Sequence, residues 1–423
     1  MNVRRRSSAA ALAAIAVIGA AAAPAVAADP SPSASAPSAP SSAPSSSGLF
    51  GTTDPQYDGV WRQSLALLAQ KTAGVIPSSK AVEWLTDQQC DNGAFAPFRA
   101  DPAKACDAKT MVDTNSTAAA VQALWAVGGH GEVLEDALGW LKSVQNKDGG
   151  WGYSPGGPSD ANSTSVVIGA LTATETDPEQ VVKDGKSPYD ALLTFALPCA
   201  EDEGEGAFAF QPDKDGKLLA NADATAAGVL GVLGKDLVAE AGKKADAATC
   251  ADAKKPTREQ AAANGAAYLT AALAEDGHLK SALGGSADQP DYGNTADAVV
   301  ALAARGGADR AAKPLAWLEK NAAKWAEESG PAAYAQLIFA AHATGTDPRD
   351  FGGTDLVESL NATGPAPRGV TASDTATAGD KAADEDEKKD DSPFGVWWFV
   401  GVCLVFGIGI GFLLSNRNKR QQP

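Results

Sequence analysis

The chain is poor in the residues that build metal sites. It has three histidines and five cysteines in 423 residues, and no two cysteines are separated by only two residues. Zinc sites in proteins need several cysteine, histidine or carboxylate ligands, and structural ones commonly contain such closely spaced cysteine pairs. The sequence therefore predicts no metal site.

Strand-like patterning is also missing. No segment combines an apolar-polar period of two with the valine, isoleucine, threonine and aromatic content typical of strands. Apolar residues instead recur at helical spacing. This pattern indicates an all-α protein.

Basic residues are too few to balance the acidic ones. The chain has 35 lysines and arginines against 52 aspartates and glutamates, a formal net charge of −17. Such an excess repels polyanions. We therefore expect neither nucleic acid nor an anionic membrane surface as a partner.

The two ends of the chain carry targeting signals. Residues 1–28 combine three arginines, an apolar run and small residues near the end, the arrangement of a cleaved secretory signal peptide. Residues 394–414 are 21 uncharged positions followed by three basic residues, which predicts a single membrane-spanning helix with the tail 415–423 in the cytoplasm. The sequence thus predicts a cell-membrane protein whose main part is extracellular.

Two segments next to these signals have compositions that cannot bury a core. Residues 29–51 are mostly serine, proline and alanine, and residues 363–393 form an acidic tether. What remains, 52–362, is predicted to be one domain. Of its cysteines, the simplest pairing in an oxidising compartment joins Cys90 to Cys106 and Cys199 to Cys250.

Apolar spacing and capping residues predict twelve helices in this domain. They lie near 57–71, 80–89, 115–127, 132–145, 163–173, 188–197, 223–233, 257–274, 294–305, 311–325, 331–344 and 354–361. One kind of helix carries an aromatic residue, such as Trp84, Trp140 or Trp317, and the other kind is rich in alanine. Because small residues allow close packing, we expect an inner ring of alanine-rich helices and an outer ring of the others, about six pairs in all.

A short polar pattern precedes four of the alanine-rich helices. It places an acid or amide first, an acid, amide or glycine two residues later, and a threonine four residues later. The copies are Asp113, Asn115 and Thr117; Asp160, Asn162 and Thr164; Asn221, Asp223 and Thr225; and Asp291, Gly293 and Thr295. Such a recurrence indicates a repeat fold in which each unit stacks on its neighbours.

The loops between helix pairs carry a second signature. The helix of Trp140 is followed by Gln145 and by the glycine-rich stretch that ends in Trp151, and an earlier copy runs from Trp84 to Phe95. This order of tryptophan, glutamine, glycine and aromatic residue resembles the QW-type repeat of the α/α-toroid superfamily. That superfamily includes triterpene cyclases, protein prenyltransferase β subunits and the transcobalamin and intrinsic factor group. The resemblance covers most of 80–345 and implies a closed α/α barrel.

The three branches of the superfamily need different chemistry. A cyclase needs an Asp-x-Asp-Asp motif to protonate an alkene or epoxide, and the chain lacks it. A prenyltransferase needs zinc ligands that include a cysteine, whereas each cysteine expected to be extracellular is expected to have a disulfide partner. Residues Val112, Asp113 and Thr114 resemble the stretch that opens an inner helix in the cobalamin-binding group.

That last resemblance implies a non-enzymatic surface protein that captures a corrinoid for uptake, with no cofactor of its own. The group's lid domain is absent here, so a membrane transporter is expected to complete the site. A protein-interaction scaffold at the cell surface is the alternative interpretation, and a cyclase-like or prenyltransferase-like enzyme is the second alternative.

The expected ligand-binding residues lie where the inner helices begin. Asp113 and Thr114 follow from the resemblance, and the others extend it by the symmetry of the repeat. The full set is Asp113, Thr114, Asn115, Asp160, Asn162, Asn221, Asp223, Asp291 and Asn294, with Tyr153, Tyr292 and Tyr334 nearby to stack or hydrogen-bond. The competing interpretation is that these polar residues are helix N-caps, each worth about 1 kcal/mol.

Overall fold

The computed structural model describes residues 47–200, 204–247, 249–253, 255–281 and 289–369, and these residues are mostly helical. The predicted signal peptide, the membrane helix 394–414, the tail 415–423 and most of the two linkers lie outside the described residues. Within the described part, no helix has both the length and the apolar character needed to span a bilayer.

Six helices form a closed inner ring. Each contacts the next one around the ring, and the last returns to contact the first. In ring order they are α1 (Gly59–Thr72), α3 (Thr114–Val127), α5 (Ala161–Ala173), α7 (Ala222–Val232), α9 (Tyr292–Gly306) and α12 (Pro331–Thr344). The predicted α/α toroid is therefore confirmed.

The remaining helices pack outside this ring. They are α2 (Ser79–Thr86), α4 (Gly131–Ser143), α6 (Pro188–Leu192), α8 (Arg258–Ala272), α10 (Ala312–Asn321), α11 (Ala323–Ser329) and α13 (Leu356–Ala362). The predicted helix 188–197 is shorter than expected, because its second part is a 3₁₀ turn. The predicted helix 311–325 is interrupted at Ala322, which separates α10 from α11.

Alanine content explains which helices lie inside. In α3 every residue from Ser116 to Leu124 is buried, because outer helices and ring neighbours enclose it on several sides. Such a helix needs small side chains on most faces. The outer α4 instead buries one stripe that includes Trp140 and Leu141.

Two very short antiparallel ribbons depart from the expectation of helices alone. Strand β1 (Phe208–Ala209) pairs with β2 (Ala220–Asn221), and β3 (Leu279–Lys280) pairs with β4 (Pro290–Asp291). Each ribbon joins an aromatic-glycine or glycine loop to the polar residue that starts the next inner helix. They are two residues long, too short to produce a period-two pattern in the sequence.

Both predicted disulfides are confirmed. Cys90 bonds to Cys106 and Cys199 bonds to Cys250, with Cα atoms 5.5 and 5.6 Å apart. Each bridge ties the loop after an outer helix to a segment that leads toward the next inner or outer helix.

Candidate functional site

The first residue of each polar repeat is a helix N-cap. Its side-chain oxygen accepts a hydrogen bond from a backbone N–H three residues later, at 2.7 Å in the first two copies and at 2.8 and 3.0 Å in the others. The capping residues are Asp113, Asp160, Asn221 and Asp291. The capping interpretation therefore accounts for this position.

The threonine of each repeat fixes the preceding loop. Its Oγ1 accepts a hydrogen bond from the N–H of a loop residue at distances between 2.9 and 3.1 Å. The donors are Phe95, Trp151, Phe208 and Leu279, in chain order. Because the loop residue is buried, this bond holds the loop against the start of the inner helix.

We predict that Thr164→Val lowers the free energy of unfolding by about 1.5 kcal/mol, because the buried Trp151 N–H then lacks an acceptor. Chemical denaturation of the purified chain measures this. Thr174→Val is the matched control, because Thr174 Oγ1 bonds to carbonyls of its own helix and to Thr176 Oγ1 but accepts from no loop N–H. Equal losses for the two variants would contradict a role for the repeat threonine in holding the loop.

The middle residue of each repeat faces the axis of the ring. Asn115, Asn162, Asp223 and Gly293 all line one central cavity. The four helices occupy equivalent places in the ring, which explains why the same position of each repeat faces the cavity. The repeat thus combines a cap and a loop-holding threonine with a middle position that lines the cavity, and the cap Asp291 lines it as well.

The central cavity has a volume of about 1010 Å³ and runs along the inside of the ring. Much of its wall is apolar, with Trp61, Val166, Leu230, Val300 and Phe339 among the lining residues. Residues that follow α7 lie at the end opposite the helix starts, where the Leu237 N–H donates to Gln122 Oε1 at 3.0 Å. A cavity of this size and lining suits a small, largely apolar molecule.

A group of carboxyls lies in the cavity wall. Nε2 of Gln336 donates to both oxygens of Asp297 at 3.2 and 3.3 Å. Burial raises the pKa of Asp297 to about 7, and repulsion from Asp223 and Asp291 adds to the rise. Asp297 is partly accessible because it faces the cavity, yet it lies deep inside the protein.

Asp223 has a similar environment. Burial raises its pKa to about 6, and the charges of Asp291 and Asp160 add to the rise, although Asn162 Nδ2 donates to Asp223 Oδ2 at 2.7 Å. A raised pKa keeps a carboxyl protonated closer to neutral pH and so able to act as an acid. Among the described residues, no cluster of three metal-binding side chains accompanies these carboxyls.

Half of the residues predicted to bind a ligand line the cavity. These are Asn115, Asn162, Asp223, Asp291, Tyr292 and Asn294. The Tyr292 ring stacks on Trp325, which also lines the cavity, with ring centroids 5.4 Å apart.

The other half lies behind the cavity wall. Asp160 and Asn221 are caps, Thr114 Oγ1 donates to the Gly152 carbonyl at 2.8 Å, and Tyr334 is buried. Burial raises the pKa of Asp113 to about 6 and raises the pKa of Tyr153, whose hydroxyl interacts with Asp113. These six residues therefore contact other groups of the protein and do not line the cavity.

Sequence reasoning missed Asp297 and its partner Gln336. Asp297 lies six residues after the cap Asp291, and the equivalent residues of two other copies, Val166 and Ala227, also line the cavity. A single acid among the alanines and valines of α9 is the signal that could have identified it.

No protein-family model matches the chain. A stretch of 110 residues is 33% identical to drimenyl diphosphate synthase of Streptomyces showdoensis, which covers 24% of this chain and 19% of that protein. The match thus spans about a fifth of the length of the curated relative.

Solved structures resemble the chain at low identity. A protein from Actinoplanes aligns with 14% identity and a TM-score of 0.46, covering 72% of this chain and 95% of that one. The ent-copalyl diphosphate synthase of Streptomyces platensis aligns with 15% identity and the same TM-score of 0.46, covering 68% of this chain and 50% of that one.

The interpretation of the chain as a non-enzymatic corrinoid-capture protein is wrong. The curated relative found by sequence is an enzyme, a diphosphate synthase. The structure gives the physical reason, because Asp113 and Thr114, which carried the resemblance to the cobalamin group, bond to protein groups and do not line the cavity. The lack of a contiguous acidic motif in the sequence disfavoured a cyclase. That criterion does not take account of Asp297, the single acidic residue within α9.

Proposed function

We propose that the chain is a terpenoid-cyclase-like enzyme, in which the cavity holds an isoprenoid chain and a buried aspartic acid protonates it. The observation that carries the proposal is Asp297, a carboxyl with a pKa raised to about 7 in the wall of a largely apolar cavity. At neutral pH a large fraction of this carboxyl holds a proton, and little water competes to receive it. The 33% identical stretch shared with drimenyl diphosphate synthase supports the same reaction class.

The acidic motif of a cyclase is present only in part. Residues 221–224 are Asn221, Ala222, Asp223 and Ala224, so the third position of Asp-x-Asp-Asp is an acid and the first and fourth are not. Asp297 supplies a second carboxyl from the neighbouring inner helix. Because the two carboxylates repel each other, one of them retains a proton at a pH where an isolated aspartate has lost it.

The proposed reaction is an isomerisation, so its atoms balance without a co-reactant. The Asp297 proton is added to an alkene carbon, whose π electrons form the new C–H bond, or to an epoxide oxygen, whose C–O bond then breaks. A second double bond attacks the resulting cationic carbon and closes a ring. A carbon next to the final cation then loses a proton, its C–H electrons form a double bond, and the proton returns to the Asp297 carboxylate, directly or through water, so the acid is restored.

Aromatic side chains fit this chemistry. Trp61, Trp325 and Phe339 line the same cavity as Asp297. Aromatic ring faces attract cations, and the effect is larger where water is excluded. The cavity wall therefore offers both a proton donor and stabilisation for the positive charge that follows.

The test is turnover by the purified full chain with farnesol, farnesyl diphosphate, squalene and 2,3-epoxysqualene, followed by gas chromatography and mass spectrometry. We expect at least one substrate to give a product of unchanged mass with one more ring, and the heat-denatured chain to give none. If none of the four is converted and none binds, the proposal is wrong.

A further inference from the structure

Resting on the proposed function, we infer that the cavity takes an uncharged isoprenoid, meaning a hydrocarbon, an epoxide or an alcohol, and discriminates against its diphosphate ester. The curated relative is named for a diphosphate, so the inference separates this chain from that relative. Three features of the cavity carry it.

The first feature is the charge of the lining. Three basic residues line the cavity, and each has an acidic neighbour. Arg62 is buried, and its Nη1 lies 3.2 Å from Asp58 Oδ1. Lys324 Nζ lies 3.6 Å from Glu328 Oε1. Lys235 follows α7 at the far end, beside Asp236. Burial raises the pKa of Asp236, and the charge of Lys235 opposes that rise.

Acidic residues are twice as numerous in the same lining. They are Asp58, Asp223, Asp236, Asp291, Asp297 and Glu328. A diphosphate group is multiply negative and needs cations or free N–H donors to offset the loss of its hydration. Within the described lining, Arg62 and Lys324 each lie within salt-bridge distance of a carboxylate, and the third cation, Lys235, is next to Asp236 in the sequence.

The second feature is that four of the six inner helices have side-chain caps at their N-termini, whereas α1 and α12 do not. Helix starts bind phosphate through N–H groups that have no partner in the helix. Four of the inner helices have such an N–H bonded to their own cap, and three of the caps are aspartates. The caps therefore occupy a donor and place negative charge where an anion would otherwise be attracted.

The third feature is a set of buried polar atoms without partners that line the cavity. Asn162 Nδ2 donates to Asp223 Oδ2, whereas Asn162 Oδ1 has no partner. Asn115 Oδ1 and Ser165 Oγ also lack partners, and all three residues line the cavity.

The two amide oxygens can accept from an alcohol and repel an ionised diphosphate, whereas the serine hydroxyl can donate or accept. Trp61 Nε1 and Arg62 Nε are unpartnered donors in the same lining, so the cavity offers donors as well as acceptors. An alcohol can satisfy both kinds of group, but an ionised diphosphate can only accept. These three features together favour a neutral ligand.

The test compares farnesol with farnesyl diphosphate, which differ only in the head group. Trp61 and Trp325 line the cavity, so tryptophan fluorescence of the purified full chain reports binding. We expect the Kd for farnesol to be at least tenfold lower than the Kd for farnesyl diphosphate. The ratio of the two Kd values should decrease toward one as salt is added, because salt screens the repulsion of the diphosphate.

A charge-reversed variant tests the cause of this discrimination. Glu328→Lys adds a cation to the cavity lining and should reduce the ratio at least threefold, whereas Glu327→Lys on the same helix makes the same charge change at a residue outside the lining. If the diphosphate binds as tightly as farnesol, or if Glu328→Lys leaves the ratio unchanged, the inference is wrong and the proposed function stands. If neither probe binds and no isoprenoid is converted, both are wrong.

Discussion

At pH 8 the Asp297→Asn variant is expected to be more stable than the wild type by about 3 kcal/mol, and at pH 4 the difference should shrink to less than about 1 kcal/mol. Burial raises the pKa of Asp297 from 3.8 to about 7 in the folded protein. The folded state therefore binds this proton more tightly than the unfolded state does. The stabilisation is present at acidic pH and is lost as pH rises from about 4 through 7.

Asparagine resembles the protonated carboxyl in shape and can still accept from Gln336, so the variant avoids the cost of a buried charge at high pH. The measurement is the free energy of unfolding of both chains by urea at pH 4, 6 and 8. The opposite behaviour is expected of Asp309→Asn. Asp309 is exposed, and its pKa is lowered by Lys244, so this carboxylate stabilises the fold at neutral pH and loses that effect in acid. A pH-independent difference between wild type and Asp297→Asn would contradict a raised pKa at this position.

The same substitution is expected to abolish most of the proposed activity. Removing a general acid commonly costs 10² to 10⁴ in rate, and we expect Asp297→Asn to lower kcat by about 10³ with little change in KM, since the side chain keeps its size. The rate is measured with whichever isoprenoid the wild type converts. The wild-type rate should also fall as pH rises above about 7, because the acid form of Asp297 is then depleted.

Two controls separate the chemistry from the fold. Asp309→Asn should retain full activity, because Asp309 is exposed and outside the cavity lining. Gln336→Leu should raise the pH at which activity falls. The hydrogen bond from Gln336 lowers the pKa of Asp297, and the variant removes this bond. If Asp297→Asn retains the wild-type kcat, Asp297 is not the acid.

Local rules made much of the fold predictable from the sequence. The caps at Asp113 and Asp160, the alanine-rich helices behind them and the Cys90–Cys106 pair each follow from interactions within a short stretch of chain. The Cys199–Cys250 pair, 51 residues apart, followed from the simplest pairing of the four cysteines. The closed ring follows from the number of alternating helices. The short ribbons did not follow, because two residues cannot show a period.

The site was less predictable than the fold. The repeat identified Asn115, Asn162 and Asp223, which line the cavity, together with caps such as Asn221, which do not. Which face of an inner helix points to the axis depends on how neighbouring helices enclose it, and this is a tertiary property. Asp297 lies on that face outside the repeated motif, so a search for contiguous acids could not find it.

The closed ring also determines when the protein can fold. Gln70 Nε2 donates to Asn361 Oδ1 at 2.7 Å across a sequence separation of 291 residues, and the Gly51 N–H donates to the Thr363 carbonyl at 2.8 Å. An open array of repeats can add units one at a time as each is synthesised. Here one flank of α1 is covered by α12 and α13, the last helices of the domain, so that flank stays exposed to water until nearly the whole domain has left the ribosome. Completion of the ring is therefore a late event in the synthesis of the chain, and until then the nascent protein exposes apolar surface that a chaperone can recognise.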